Sequence, residues 1–173
     1  HSAPVIRLAD AKPIQLAQAL PADGRFRIIA FADTSDRGAP NGKIAGLCRF
    51  LASDPHSPIL RHTAKGADPD AVIDLRAVFQ ASHRDLDLSE MPKLLLPSKG
   101  KYGLTDYEKI FCPDTRTAPD IFDSRGIDRD AGALVIVRPD QFIAHVLPLE
   151  DHTALSDFFQ GILTIANGPR EPK

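Results

Sequence analysis

Hydrophobic and polar positions divide the chain into a small number of segments with legible periods. Leu134 to Val137 is an unbroken aliphatic run, the pattern of a strand buried on both faces. Arg138-Pro139-Asp140-Gln141 reads as a tight turn, with proline presetting φ at its second position. Phe142 to Leu147 reads as the returning strand of a hairpin. Asp151 can cap a following helix, whose Leu155, Phe158, Phe159, Ile162 and Leu163 keep to one face. Nearer the start, Phe26 to Phe31 predicts a strand carried on to about Asp33. A polar loop, Thr34 to Pro40, then leads to Asn41 as the cap of a helix reaching about Ser53. Its Ile44, Leu47, Cys48 and Leu51 fall at i, i+3, i+4 and i+7, which turns all four toward the core. Ala71 to Gln80 alternates, with Val72, Asp74, Arg76 and Val78 on one side and Ile73, Leu75, Ala77 and Phe79 on the other. The second set is the better core face.

The remaining segments are less periodic. Ile14 to Leu20 fits a short strand or one helical turn, and its pattern does not separate them. His56 and His62 fall in a loop. Met91 to Gly103 is rich in proline and glycine and is expected to wrap the surface. Asp106 to Cys112 predicts a short strand halted by Pro113, and Asp120 to Ser124 a brief helix. The order is strand, helix, strand, long connection, hairpin, helix. That arrangement is thioredoxin-like: an α/β fold with a mixed central sheet flanked by helices and a long Pro-rich insertion.

The chain has 173 residues, 43% of them hydrophobic, enough for one core of ordinary size. A single domain over 1–173 is expected, with 1–24 as a lead-in segment and 168–173 as a tail. Because the chain opens at His1, it reads as a processed, trimmed or excised piece of a longer protein. Fifteen prolines and eleven glycines concentrate in Pro55 to Pro69 and Pro92 to Pro119, which predicts long ordered connections rather than repeats. The formal net charge is −2, and Lys and Arg form no basic stripe interleaved with aromatics. No nucleic-acid partner is therefore expected. Apolar runs fall far below a membrane span, and no secretory segment opens the chain. Two cysteines, Cys48 and Cys112, are too few and too far apart for a disulfide framework, so a reducing, cytoplasmic setting is expected.

A thioredoxin-like sheet raises the question of thiol chemistry. Redox members of that fold place Cys-x-x-Cys where the first core strand meets its helix, because the helix N-terminus lowers a thiol pKa. Here the junction reads Thr34-Ser35-Asp36-Arg37-Gly38-Ala39-Pro40 and contains no cysteine. Cys48 lacks the Thr or Ser three residues earlier that a peroxidase thiol needs (Ala45 stands there), and it lies two turns into its helix. It reads as a small core hydrophobe. Cys112, beside the Pro113-Asp114 turn, is expected to be partly exposed and inert, with no evident base nearby. The proline that precedes the buried strand in redox members is replaced by Ala131-Gly132.

The histidines at 56, 62, 83, 145 and 152 show no metal-ligand spacing. His145 reads as a hydrogen-bonded structural histidine and His152 as exposed. Gly38-Ala39-Pro40-Asn41-Gly42-Lys43 has the outline of a phosphate loop, but is one residue short and carries Ile44 where Ser or Thr would hold magnesium. No Gly-x-Gly-x-x-Gly occurs. Asp85 to Asp87, Asp106 to Glu108, Arg37 and Lys43 read as solvated surface charge. The sequence therefore nominates no catalytic, cofactor-binding or metal residue.

Three stretches carry a family resemblance. They are Arg7 to Leu16 with Ala22-Asp23-Gly24-Arg25-Phe26-Arg27; Gly103-Leu104-Thr105-Asp106-Tyr107-Glu108-Lys109-Ile110-Phe111; and Val137-Arg138-Pro139-Asp140-Gln141-Phe142-Ile143-Ala144-His145-Val146. Together they resemble the C-terminal region of FAD-dependent aromatic hydroxylases of the phenol 2-monooxygenase type, from about Pro4 to Leu163. The resemblance implies a redox-inactive, thioredoxin-like domain for subunit contact and structure. Its partners would be the N-terminal flavin-binding part of the same protein and a second subunit of a homodimer. FAD and NADPH are implied for the parent phenol or hydroxybenzoate monooxygenase, with none in this chain. Helix aromatics such as Phe158 and Phe159 would help bury an isologous surface, and apolar surface normally covered by the N-terminal part would be exposed. The alternative is a free-standing thioredoxin- or peroxiredoxin-like thiol oxidoreductase using Cys48 or Cys112.

Overall fold

In chain order the elements are β1 (Pro4–Arg7), β2 (Lys12–Gln15), a 3₁₀ turn (Leu16–Ala19), β3 (Phe26–Phe31), α1 (Lys43–Ser53), α2 (Pro58–His62), β4 (Ile73–Val78), β5 (Ser98–Lys99), β6 (Leu104–Thr105), β7 (Ile110–Pro113), α3 (Ile121–Arg125), β8 (Ala133–Val137), β9 (Ile143–Leu147) and α4 (His152–Gln160). This is a computed structural model, and it describes residues 3–165. The tail expected over 168–173 lies outside the described residues. Seven strands form one sheet in the order β2-β1-β7-β4-β3-β8-β9, and β5 and β6 make a separate hairpin. β4 runs parallel to both β3 and β7, while β8 is antiparallel to β3 and to β9. The sheet is therefore mixed, as the order of elements predicts.

Alternation on the central strands divides the core in two. Ile28 and Ala30 of β3, Ile73, Leu75 and Ala77 of β4, and Leu134 and Ile136 of β8 pack with Ile44, Leu47, Cys48 and Leu51 of α1 and Leu155 and Phe159 of α4. The opposite residues Ile29, Phe31, Val78, Val135 and Val137 pack with Leu16 and Leu20 and with Ile121 and Phe122 of α3. The first face is roofed by α1, α4 and, through Ile59, α2, the second only by one 3₁₀ turn and a helix of five residues. Asp120 caps α3 through its side chain, and Asp151 caps α4 in the same way. The 138–141 turn closes with the Gln141 amide donating to the Arg138 carbonyl at 2.9 Å.

Several sequence expectations need correction. The stretch Ile14 to Leu20 is both alternatives in succession, the end of a strand and then a 3₁₀ turn. β3 ends at Phe31, short of Asp33. The loop expected around His56 and His62 contains α2, started by Ser57, whose hydroxyl accepts from the Leu60 amide, with Pro58 in its first turn. Five residues are too few for a helical period to show. α1 begins at Lys43 after Gly42, so Asn41 is not its cap. Met91 and Leu95 turn into the helical core, so Met91 to Gly103 does not merely wrap the surface. β7 starts at Ile110 rather than Asp106, and Pro113 lies within it, paired with Val5. Asp74 and Arg76 are buried as well, so β4 has no solvent face.

Candidate functional site

The junction of β3 and α1 is where a thiol would sit in a redox-active member of this fold. A carboxylate fills it here. Asp36 is buried, and its side chain accepts from the amide of Gly38 and from the amide of Ile44, each at 2.8 Å. Ile44 stands in the first turn of α1, so Asp36 takes the anion position that a helix N-terminus offers. Gly42 carries no side chain there, and a Cβ would run into the Asp36 carboxylate. Asp33 ties the approach by accepting from the Ser35 hydroxyl at 2.6 Å and the Asp36 amide at 3.1 Å. Burial opposes ionisation of Asp33, but the Ser35 hydroxyl and amide, with Lys43, outweigh it and hold its carboxyl below the usual range. Gln80 and Arg129, which the sequence did not single out, brace the same end. The Gln80 amide donates to the carbonyls of Ala32 and Arg129, at 3.0 and 2.7 Å. Arg37 donates to the Thr34 carbonyl, and Lys43 lies 3.5 Å from Glu150, so neither is free solvated charge.

Both thiols are inside. Cys48 faces the helical core as expected. Burial, with the negative charge of Asp36, pushes its pKa up to about 12. Cys112 is fully buried on β7, contrary to the partial exposure expected, and burial raises it to about 12 as well. A thiol becomes a nucleophile at neutral pH only as thiolate, and both groups are moved the wrong way for that. In a thiol-disulfide reagent at pH 7.5 the native chain is expected to leave both cysteines unmodified for hours, while the chain in guanidinium reacts at both at once. One fast-reacting native thiol would contradict this reading.

A second cluster lies at the opposite ends of β3 and β4. Lys109, Arg27 and Asp74 are all essentially inaccessible. The Lys109 ammonium donates to Asp74 and to Asp70, the latter at 2.7 Å, and Asp74 also accepts from Arg76 Nε at 2.9 Å. Asp70 further contacts Lys99 at 2.8 Å and Arg25 at 3.1 Å, and Arg27 reaches Asp23 at 2.6 Å. Burial works against ionisation of Asp70, but hydrogen bonds from Lys109 and Lys99 outweigh it and bring its carboxyl down to about 2. Asp106, expected at the surface, joins through Lys99 at 3.2 Å, and Glu108 pairs with Arg7. The carboxylates are matched to cations throughout, so the cluster offers no poised acid or base. It ties the starts of β3 and β4 to Lys99 of β5 and to Lys109 just ahead of β7.

The histidines stay apart. His145 is exposed at the sheet edge with its ring stacked on Phe158 at 5.7 Å, rather than built into a hydrogen-bonded interior. His152 is half-buried, its ring stacked on Phe50 at 4.6 Å. Burial lowers its pKa against the pull of Glu150. Among the described residues no group of three or more His, Cys, Asp or Glu is placed to hold a metal ion, and no helix is long and apolar enough to cross a membrane.

What remains is a surface. On the thinly roofed face a trough of about 760 Å³ runs between Leu16, Leu20 and Ile127, floored by Phe31, Val135 and Val137. It opens onto β9, where Ile143 and Val146 are 59% and 53% exposed, and Phe142, just ahead of the strand, is 71% exposed. These apolar groups are contiguous rather than scattered, which is uncommon for a surface in contact only with water. Of the aromatic pair expected at a contact surface, Phe158 is half-buried and lines a hollow on the other side of β9, while Phe159 lies inside. Phe159 is fully buried edge-on to Phe26 at 5.6 Å, and Phe158 packs edge-on to Phe159.

Comparison with known proteins agrees with this inventory. The model of a family described as phenol hydroxylase, C-terminal dimerisation domain, matches residues 1–167. A 3-hydroxybenzoate 4-monooxygenase of Comamonas testosteroni is 52% identical over 164 residues, which cover 94% of this chain and 26% of that protein. The FAD-dependent monooxygenase terD of Aspergillus terreus is 34% identical over 165 residues, 94% of this chain and 27% of its own length. The chain thus spans about a quarter of the length of the curated relatives it matches. Among solved structures, Arabidopsis thaliana ScoI aligns with a TM-score of 0.52 at 13% identity, covering 94% of this chain and 96% of that one, a likeness of fold alone. The fold is thioredoxin-like, and with a family match running over nearly its whole length this chain belongs to the phenol hydroxylase C-terminal dimerisation domains.

Proposed function

We propose that the chain is a single, redox-inactive domain that supplies subunit contacts and shape to an FAD- and NADPH-dependent phenol or hydroxybenzoate monooxygenase of the cytoplasm, one that degrades aromatic compounds. Its partners are the flavin-binding part of the same protein and a second subunit. The observation that carries this is the filled junction: Asp36 occupies the helix N-terminus where a redox thiol would lie, and both cysteines are buried. The same carboxylate argues against flavin binding by this chain. A pyrophosphate would need those amides, and it would meet a fixed negative charge instead. The relatives are described as monooxygenases, and one of them as FAD-dependent. Two free thiols agree with a reducing compartment. Purified alone, the chain is expected to be colourless and to leave NADPH unoxidised with phenol or 3-hydroxybenzoate. Expressed with the polypeptide that precedes it in its gene, it is expected to be yellow and to turn over. Flavin absorbance or NADPH oxidation by the isolated chain would refute the proposal.

A further inference from the structure

The sheet has two edges, and they are guarded differently. β2 reads Lys12-Pro13-Ile14-Gln15, with a charge and a proline, the usual devices against strand addition. β9 reads Ile143-Ala144-His145-Val146-Leu147, with no Lys, Arg, Asp, Glu or Pro, and four of its five residues are exposed or only half-buried. Hollows flank this strand on both sides. The trough of about 760 Å³ adjoins Ile143 and Val146. A second hollow of about 570 Å³ lies between Ala144 and the α4 side, lined by Phe26, Phe158 and Ile162. A strand laid along β9 would set its side chains alternately toward the two faces, and each face has room for them.

Resting on the reading of the chain as a dimerisation domain, we propose that the occupant is β9 of a second copy, added antiparallel about a two-fold axis so that one sheet runs through both subunits. The strand is self-complementary for this. Ile143 and Val146 lie on the same face because the pairing with β8 shifts register between Ile136 and Val137. An axis passing between positions 144 and 145 sets Ile143 of each copy beside Val146 of the other, on the trough face. The same pairing brings the turn end of one copy, where Arg138 is already matched to Asp140 at 2.6 Å, toward Glu150 of its mate, which lies 3.5 Å from Lys43, so no unpaired charge opposes the join. Tyr102 and Leu104, exposed at the two-residue strands of the β5–β6 hairpin, offer a control position away from this edge.

Sedimentation equilibrium of the chain tests this, with Ile143→Lys/Val146→Lys set against Leu104→Lys. Both edge positions are exposed, so the fold is expected to survive, and circular dichroism checks that it does. The parent chain and Leu104→Lys are expected to be dimers. The edge variant is expected to dissociate with a Kd raised by at least about a hundredfold, because it places four cations along one join. In the single variant His145→Cys, a disulfide-linked dimer is expected under mild oxidation, since position 145 lies beside the axis and the native thiols are buried. A dimer that survives both edge lysines, or one that Leu104→Lys breaks instead, overturns the β9 assignment and leaves the dimerisation reading standing. A parent chain that stays monomeric at all concentrations overturns both.

Discussion

Replacing Asp74 by alanine is expected to cost about 3–5 kcal/mol of folding stability, the range for removing one member of a buried charged group. Asp74 is fully buried and receives Lys109, Arg76 Nε at 2.9 Å and, at 3.7 Å, the Arg27 Nε. Without it three cations face one another in the interior. Lys109 retains Asp70, and Arg27 retains Asp23, but Arg76 keeps only the Glu108 carbonyl at 3.2 Å. Arg27 Nε already lacks a hydrogen-bond partner, so the cluster has no spare acceptor to offer. Guanidinium unfolding followed by circular dichroism reads the effect as a lowered midpoint at constant slope. The double variant Asp74→Ala/Lys109→Met is expected to lose less than the two single changes together, because each removes the partner the other would strand. A single-variant loss below about 1 kcal/mol would mean that water reaches the cluster.

Gly132→Ala is expected to cost about 3 kcal/mol or more, through two mechanisms that a second glycine separates. Gly132 has φ +72°, where an L side chain is strained, and a Cβ built on it would lie 2.5 Å from the Phe31 carbonyl oxygen and 2.9 Å from Leu149 Cδ2. Both neighbours are buried, and one is backbone of the central strand β3. Gly126, which ends α3, has φ +63° but nothing within 4 Å of the same construction. Gly126→Ala is therefore expected to cost about 1 kcal/mol, from backbone strain alone. Equal losses at the two positions in thermal unfolding would show that space at Gly132 is not limiting. At the position where a redox relative has its proline, this chain requires the absence of a side chain. It is a packing position here.

Close approach of this kind also marks where sequence reading stops. Ala131-Gly132 could be read as departing from a redox pattern, but not as a point where β8 passes against the carbonyl of β3, because that contact joins residues about a hundred positions apart. The α1 cap has the same character. Asn41 has the right residue type one step from the helix, and local reasoning chooses it. Asp36 wins because its loop folds back over the helix end and Gly42 leaves room for its carboxylate. The charge cluster has the same character. Asp106 looks like solvated surface, yet it is half-buried against Lys99 and Lys109, because Lys109 is itself held inside by Asp70 and Asp74, and no local pattern reports those partners 39 and 35 residues away.

What the residues determine locally is the set of elements. Alternation over 73–79, the aliphatic run of β8, the proline turn at 138–141, and the apolar spacing of α1 and α4 each follow from a period of two or 3.6 residues and a few turn formers. With those elements, and without a cysteine at the β3–α1 junction, the chain could be read as a thioredoxin-like domain that does no thiol chemistry. Tertiary structure decided what stands in place of the thiol, how deep Cys112 lies, and which strand ends the sheet. β9 has the composition of a half-buried strand, and the pattern of Phe142, Ile143 and Val146 is the same whether a neighbour covers it or not. Only its place as the last strand in the sheet order leaves those side chains and their backbone edge open, because edge position belongs to the arrangement of strands and to no strand taken alone.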